Sequence, residues 1–104
     1  MNKFAIWVQL LKEHFSGNED VVFKEINVVN KSIVCIYQKG VSDLNQIGQF
    51  VLKPLVNIDK LPSENIVDYV DKKVLSFPDS ELENDDNKLV NNVMKGKAIV
   101  LIYS

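Results

Sequence analysis

The chain has 104 residues, 46% of them hydrophobic, and its 12 basic side chains, all lysine, are set against 14 acids for a formal charge of −2. That length suits one domain with a core of its own. Lysines scattered through an acidic chain form neither the basic stripe that nucleic acid requires nor the polybasic segment that anionic lipid attracts, so both partner classes are excluded.

The opening stretch "MNKFAIWVQLLKEHF" places Phe4, Trp7, Val8, Leu11 and Phe15 at helical spacing. It imitates a secretory signal in outline, but Gln9 interrupts the apolar run and no small-residue cleavage site follows. The spacing predicts an amphipathic helix from about Lys3 to Phe15, closed by "SGN" with Gly17 in the left-handed conformation that ends helices. No run approaches the roughly 20 apolar residues of a membrane span, and the chain as given reads as soluble.

A first strand is expected at Val21–Val28, a tight reversal at "VNKS", and a second strand at Ile33–Tyr37, rich in β-branched residues. So short a connection makes the pair an antiparallel hairpin. Alternation puts Val22, Lys24, Ile26 and Val28 on one face and Val21, Phe23, Glu25 and Asn27 on the other. Lys24 and Glu25 therefore point to opposite faces and cannot pair with each other. Charges in mid-strand either guard a sheet edge or meet groups from a neighbouring element or domain; the edge is the simpler reading. An open edge also allows self-association. Cys35, the single cysteine, excludes an internal disulfide, points to a reducing compartment, and reads as a small buried hydrophobe.

After Gly40 the period changes. Asp43 and Gln46 have the spacing of a capping box, and Leu44, Ile47, Val51 and Leu55 mark one helical face, with a stop or kink expected at Lys53 before Pro54. A second helix is expected from Glu64 to about Lys73, capped by Ser63, with Ile66, Val67 and Val70 inward. "VLSF", 74–77, reads as a short strand stopped by Pro78. Ser80 and Glu83 then open a helix facing inward through Leu82, Leu89, Val90 and Val93 and ended by Gly96. "KAIVLIY", apolar on both faces, reads as a central last strand. The order predicts a small α/β domain: a mixed sheet of about four strands, helices on both faces, and a right-handed parallel crossover from "VLSF" to "AIVLIY".

Chemistry is sparse. His14 is the only histidine and lies near the apolar face of its helix; the four glycines are too far apart for a phosphate-binding loop; one histidine and one cysteine do not make a zinc site. The run "ELENDD", 81–86, lacks calcium-loop spacing and suits a helix's first turn. Nothing assembles a nucleophile, a base and an oxyanion hole, so no enzyme, metal or cofactor is expected.

Four blocks carry a resemblance. "NEDVVFKEINV" resembles a strand of pattern s-x-D-V-V-x-R-E-x-x-I, and "SIVCIYQKGVSD" resembles a-x-l-v-Y-I-D-G-L-v-D. "FVLKPL" resembles x-I-L-K-P-L, and "VNNVMKGKAIVLIYS" a closing i-l-x-G-x-x-v-l-l-i-D-G. In this order, over about residues 18–104, they resemble the N-terminal region of the A subunit of GerA-type spore germinant receptors. The chain departs from those patterns at Gln38-Lys39 and at Tyr103-Ser104.

The resemblance implies a non-enzymatic subdomain on the cytoplasmic, spore-core side of the inner spore membrane. It would contact other regions of the A subunit and the B and C subunits, in a receptor answering amino acids, sugars or nucleosides. That family's second soluble subdomain and membrane region would lie beyond this chain. It also implies Lys24 and Glu25 as counterparts of the Arg-Glu pair, Gly40 and Asp43 of the turn residues, and Pro54 of a helix-ending proline. Lys24, Glu25 and Asp43 are the interface or ligand candidates. The rival expectation is a free-standing small-molecule-binding or regulatory α/β protein.

Overall fold

Helix α1 (Lys3–His14) forms where the apolar spacing predicts it, burying Leu11 completely, and Gly17 ends it at φ 83°. The computed structural model describes residues 3–75 and 82–103. Strands β1 (Val21–Val28) and β2 (Lys31–Gln38) form the hairpin. Its two turn residues, Val29 and Asn30, both have positive φ, 48° and 66°. Such a turn matches the twist of paired strands; Asn30 adopts it readily, whereas β-branched Val29 does so under strain.

The last strand, β3 (Ile99–Ile102), pairs antiparallel with β2, Ile33 opposite Ile102 and Ile36 opposite Ile99. The sheet order is β1-β2-β3. This corrects three expectations. Among the described residues the sheet has three strands rather than about four, is antiparallel rather than mixed, and is centred on β2 rather than on the last strand. The reason lies at Val74: it stays helical, and Leu75 N–H closes the wide turn onto the Val70 carbonyl at 2.9 Å. No strand therefore begins at Val74; Ser76 and Phe77 of "VLSF", and with them the expected start of the parallel crossover, lie outside the described residues.

Helices cover both faces of the sheet, as the two-sided apolar strands require. On one face α1 and α5 (Asp86–Met94) bring Leu11, Phe15, Leu89 and Val93 onto Val34, Ile36, Ile99 and Leu101. On the other, Ile47, Val51, Leu55, Ile66 and Val70 pack on Ile26, Val28, Ile33 and Cys35. Each fully buried aliphatic side chain stabilises the fold by roughly 1.5–3 kcal/mol.

That second layer is built from short pieces. Helix α2 (Leu44–Ile47) runs into a π-helical turn (Gly48–Leu52) and on into α3 (Lys53–Val56), so the helix passes through Pro54 instead of stopping before it. Lys53 N–H reaches back to the Gly48 carbonyl, and this wider register just ahead of the proline accommodates its missing donor. The next helix, α4 (Ile66–Tyr69), also leads into a π-turn, Val70–Val74. It starts after Asn65, left-handed at φ 55°, and not from Ser63. Three residues expected inward are exposed: Leu44, Val67 and Leu82, the last 55% accessible.

Helix α5 begins later than expected. Asp85 caps it, its carboxylate accepting from Asn87 N–H at 2.9 Å, while Glu83 accepts from the Asn84 and Asp85 amides; Ser80 of the expected capping box lies outside the described residues. The helix ends in a Schellman motif, with Lys97 N–H on the Asn92 carbonyl and Gly96 N–H on that of Val93. Gly96 has φ 89°, and a Cβ there would stand 2.6 Å from Val41 Cγ1. Only glycine suits that seat.

Candidate functional site

Lys24 and Glu25 sit in the middle of β1, opposite Cys35 and Val34 respectively. Lys24 lies on the face covered by α2–α4 and Glu25 on the face covered by α1 and α5; both are exposed. Neither side chain makes a hydrogen bond or ion pair with any described residue. The expected edge position holds, since β1 is an outer strand of the described sheet.

The hairpin parity says more. A two-residue turn makes Val28 and Lys31 a hydrogen-bonded pair, and antiparallel pairs alternate from there. Even-numbered residues of β1 therefore turn their amides and carbonyls toward β2, and the Lys39 amide on the Asp20 carbonyl at 2.8 Å continues that series. The odd ones, Phe23, Glu25 and Asn27, present theirs to the outer side. Consistent with this, Val21 N–H bonds back to the Asn18 carbonyl instead of to β2. Among the described residues the β1 edge is thus a ladder of open backbone groups with one charge of each sign at its centre.

Asp43 stands apart. Its carboxylate caps α2, accepting from Gln46 N–H at 3.1 Å, beyond the end of β2. No hydrogen bond or ion pair joins it to the β1 charges, so the three candidates do not form one cluster.

The remaining chemistry is structural. Cys35 is buried, and burial pushes its thiol up to about 12, far from a reactive thiolate. His14 is exposed and meets Phe15 edge-on at 4.9 Å. Among the described residues no group of His, Cys, Asp and Glu is arranged to hold a metal. No helix among them is long and apolar enough to cross a membrane.

Sequence reasoning missed a tether. Lys3 Nζ bonds Asn84 Oδ1 and packs over the Trp7 ring, while Trp7 Nε1 donates to Asp86 Oδ1. The first two turns of α1 thereby hold the start of α5. A tryptophan on a half-buried face needs an acceptor for its N–H, which was the signal available.

A family model described as the Bacillus/Clostridium GerA spore germination protein matches residues 9–104, a span that includes β1, Asp43 and all three strands. The chain belongs to this GerA family. Among curated proteins it is similar to spore germination protein KA of Bacillus subtilis (strain 168), with 24% identity over 92 residues. The match covers 86% of this chain and 17% of that relative, so the chain spans a minor part of the relative's length. No solved structure matches the chain significantly. The tether residues Lys3 and Trp7 precede the GerA match, whereas both β1 charges fall inside it.

Proposed function

We propose that this chain is a non-enzymatic sensing and interaction subdomain of a germinant receptor A subunit, joining receptor parts on the spore-core side of the inner spore membrane. The observation that carries the reading is the family match across residues 9–104. Two features of the fold support it. Both sheet faces are already filled with apolar packing, leaving little interior for chemistry. The mid-strand charges Lys24 and Glu25, by contrast, face outward without partners among the described residues. In this reading they contact other regions of the A subunit or the B and C subunits, and the assembled receptor answers an amino acid, sugar or nucleoside.

The test pairs a melt with a germination assay. Glu25→Ala in the isolated chain should shift stability by no more than about 0.5 kcal/mol, as for an exposed side chain. The same change in a full-length receptor should slow the germination response. A loss of about 3–5 kcal/mol in the melt would instead make Glu25 half of a buried ion pair. Normal germination with both Lys24 and Glu25 replaced would leave them as edge guards and overturn the proposed role.

A further inference from the structure

We propose that the β1 edge is built to add a strand from a different polypeptide segment, one that carries a base opposite Glu25 and an acid opposite Lys24, a matching that no antiparallel register of a second copy of this chain provides. The inference deepens the interaction role proposed above and rests on it. It starts from the amides and carbonyls of Phe23, Glu25 and Asn27, turned outward by the two-residue turn and the Asp20–Lys39 bond and open among the described residues. An edge of this kind recruits extended chain through its backbone, and side chains opposite each other select the mate.

Parity limits self-pairing. Two copies of β1 related by a two-fold axis can bond only through their outward, odd-numbered residues. The register that uses all three sets Glu25 against its own copy, and a shift toward Phe23 sets Lys24 against its own copy; a shift toward Asn27 opposes no like charges but leaves Glu25 against Asn27 and Lys24 against Val28, with neither charge matched. Like charges directly opposite are destabilising. The register that would match Lys24 with the copy's Glu25 pairs an inward residue with an outward one, and Lys24 has its amide and carbonyl turned to β2. A free segment has no such constraint, because both of its edges are open.

The signs of the charges separate this reading from simple edge protection. Two lysines would turn away any basic or second-copy strand, whereas one Lys and one Glu leave the edge neutral and favour a strand that presents the opposite charge to each. With one charge on each face, the matched strand has its two complementary charges adjacent in sequence. Since every strand pairing in the described sheet is antiparallel, the incoming strand reads base then acid from its N-terminus.

The probe is a short peptide of alternating threonine and valine with a central Lys-Glu dipeptide. Its control has the same composition with the dipeptide reversed. Titrated into the 104-residue chain and followed by amide NMR, the Lys-Glu peptide should slow exchange of the Phe23, Glu25 and Asn27 amides. It should bind about tenfold more tightly than the control, the difference between two attractive and two repulsive cross-strand pairs. The double variant Lys24→Glu with Glu25→Lys should invert the preference while leaving amide shifts away from β1 unchanged. Equal binding of the two peptides, protection elsewhere than those three amides, or dimerisation through β1 would overturn strand addition. A receptor that fails to germinate with altered charges would still stand in that case, so the two ideas fail separately.

Discussion

The two faces of the sheet are covered by different kinds of helix. Over Val34 and Ile36 lie α1 and α5, regular helices with recognisable ends: Gly17 after one, Asp85 and Gly96 around the other. Over Ile33 and Cys35 lie helices of four residues joined to π-turns: α2 and α4 each run into one, α3 follows the first and contains Pro54, and a left-handed Asn65 precedes α4. The apolar spacing explains the contrast. Ile47, Val51 and Leu55, and likewise Ile66, Val70 and Val74, recur every fourth residue. A repeat of four outruns a turn of 3.6, so the apolar stripe drifts by about 40° per step. One widened turn in each helix brings the stripe back toward the sheet. Burial, here, outweighs ideal helix geometry.

If that account is right, both faces are equally well packed despite the irregular helices on one of them. Leu11 and Leu55 are each fully buried, one on each face. Replacing either with alanine should cost about 2–5 kcal/mol in denaturant melts. A near-neutral Leu55→Ala beside a costly Leu11→Ala would show the π-turn layer to be loosely held.

The regular face depends on its stop signals, and two glycines sharpen the point. Gly17→Ala forces a left-handed alanine with open space around it, a cost of about 1–2 kcal/mol. Gly96→Ala adds a collision with Val41, for about 1–3 kcal/mol more. Equal melts for the two variants would mean that the turn carrying Val41 yields freely.

Cys35 reports on the irregular face through pH. Its folded-state pKa is raised by burial from 9.0 to about 12, so the native chain keeps a proton that the unfolded chain releases. The thiol's contribution is complete below pH 9.0 and is lost as pH rises toward about 12. The stability difference between the chain and Cys35→Ala should therefore shrink across that window. A difference that stays flat would mean water already reaches the thiol.

The smallest effects belong to the caps. Asp85→Ala on the regular face and Asp43→Ala on the other should each cost about 1 kcal/mol. A much larger loss for Asp43→Ala would show that the short α2 depends on its cap more than on burial of Ile47.

Much of this was legible in the residues. The limits of α1 and β1, the hairpin, the left-handed Gly17 and Gly96 and the alternation of β1 all follow from local rules. So does the opposite placement of Lys24 and Glu25, the heart of the candidate site; the open backbone groups beside them follow once the turn length is known. What misled were features whose local and tertiary readings differ. Leu82 looked like the first inward residue of a helix because Ser80 and Glu83 have capping-box spacing, yet Asp85 is the better placed cap. Val74 looked like the first residue of a strand because "VLSF" is apolar, yet it completes the stripe begun by Ile66 and Val70.

By itself, then, the sequence determined the hairpin, the two-sided apolar character of β2 and the helix stops, because each depends on neighbours within a few residues. Which strand lies beside β2, and in which direction, was decided only in three dimensions. Apolar residues on both faces of "AIVLIY" suit a central or an edge strand alike when helices cover both faces. Only the docking of α1 and α5 on one side and the π-turn helices on the other sets β3 antiparallel at the edge of the described sheet. The same docking leaves Lys24 and Glu25 on a strand with one side open among the described residues, where a local pattern becomes a surface.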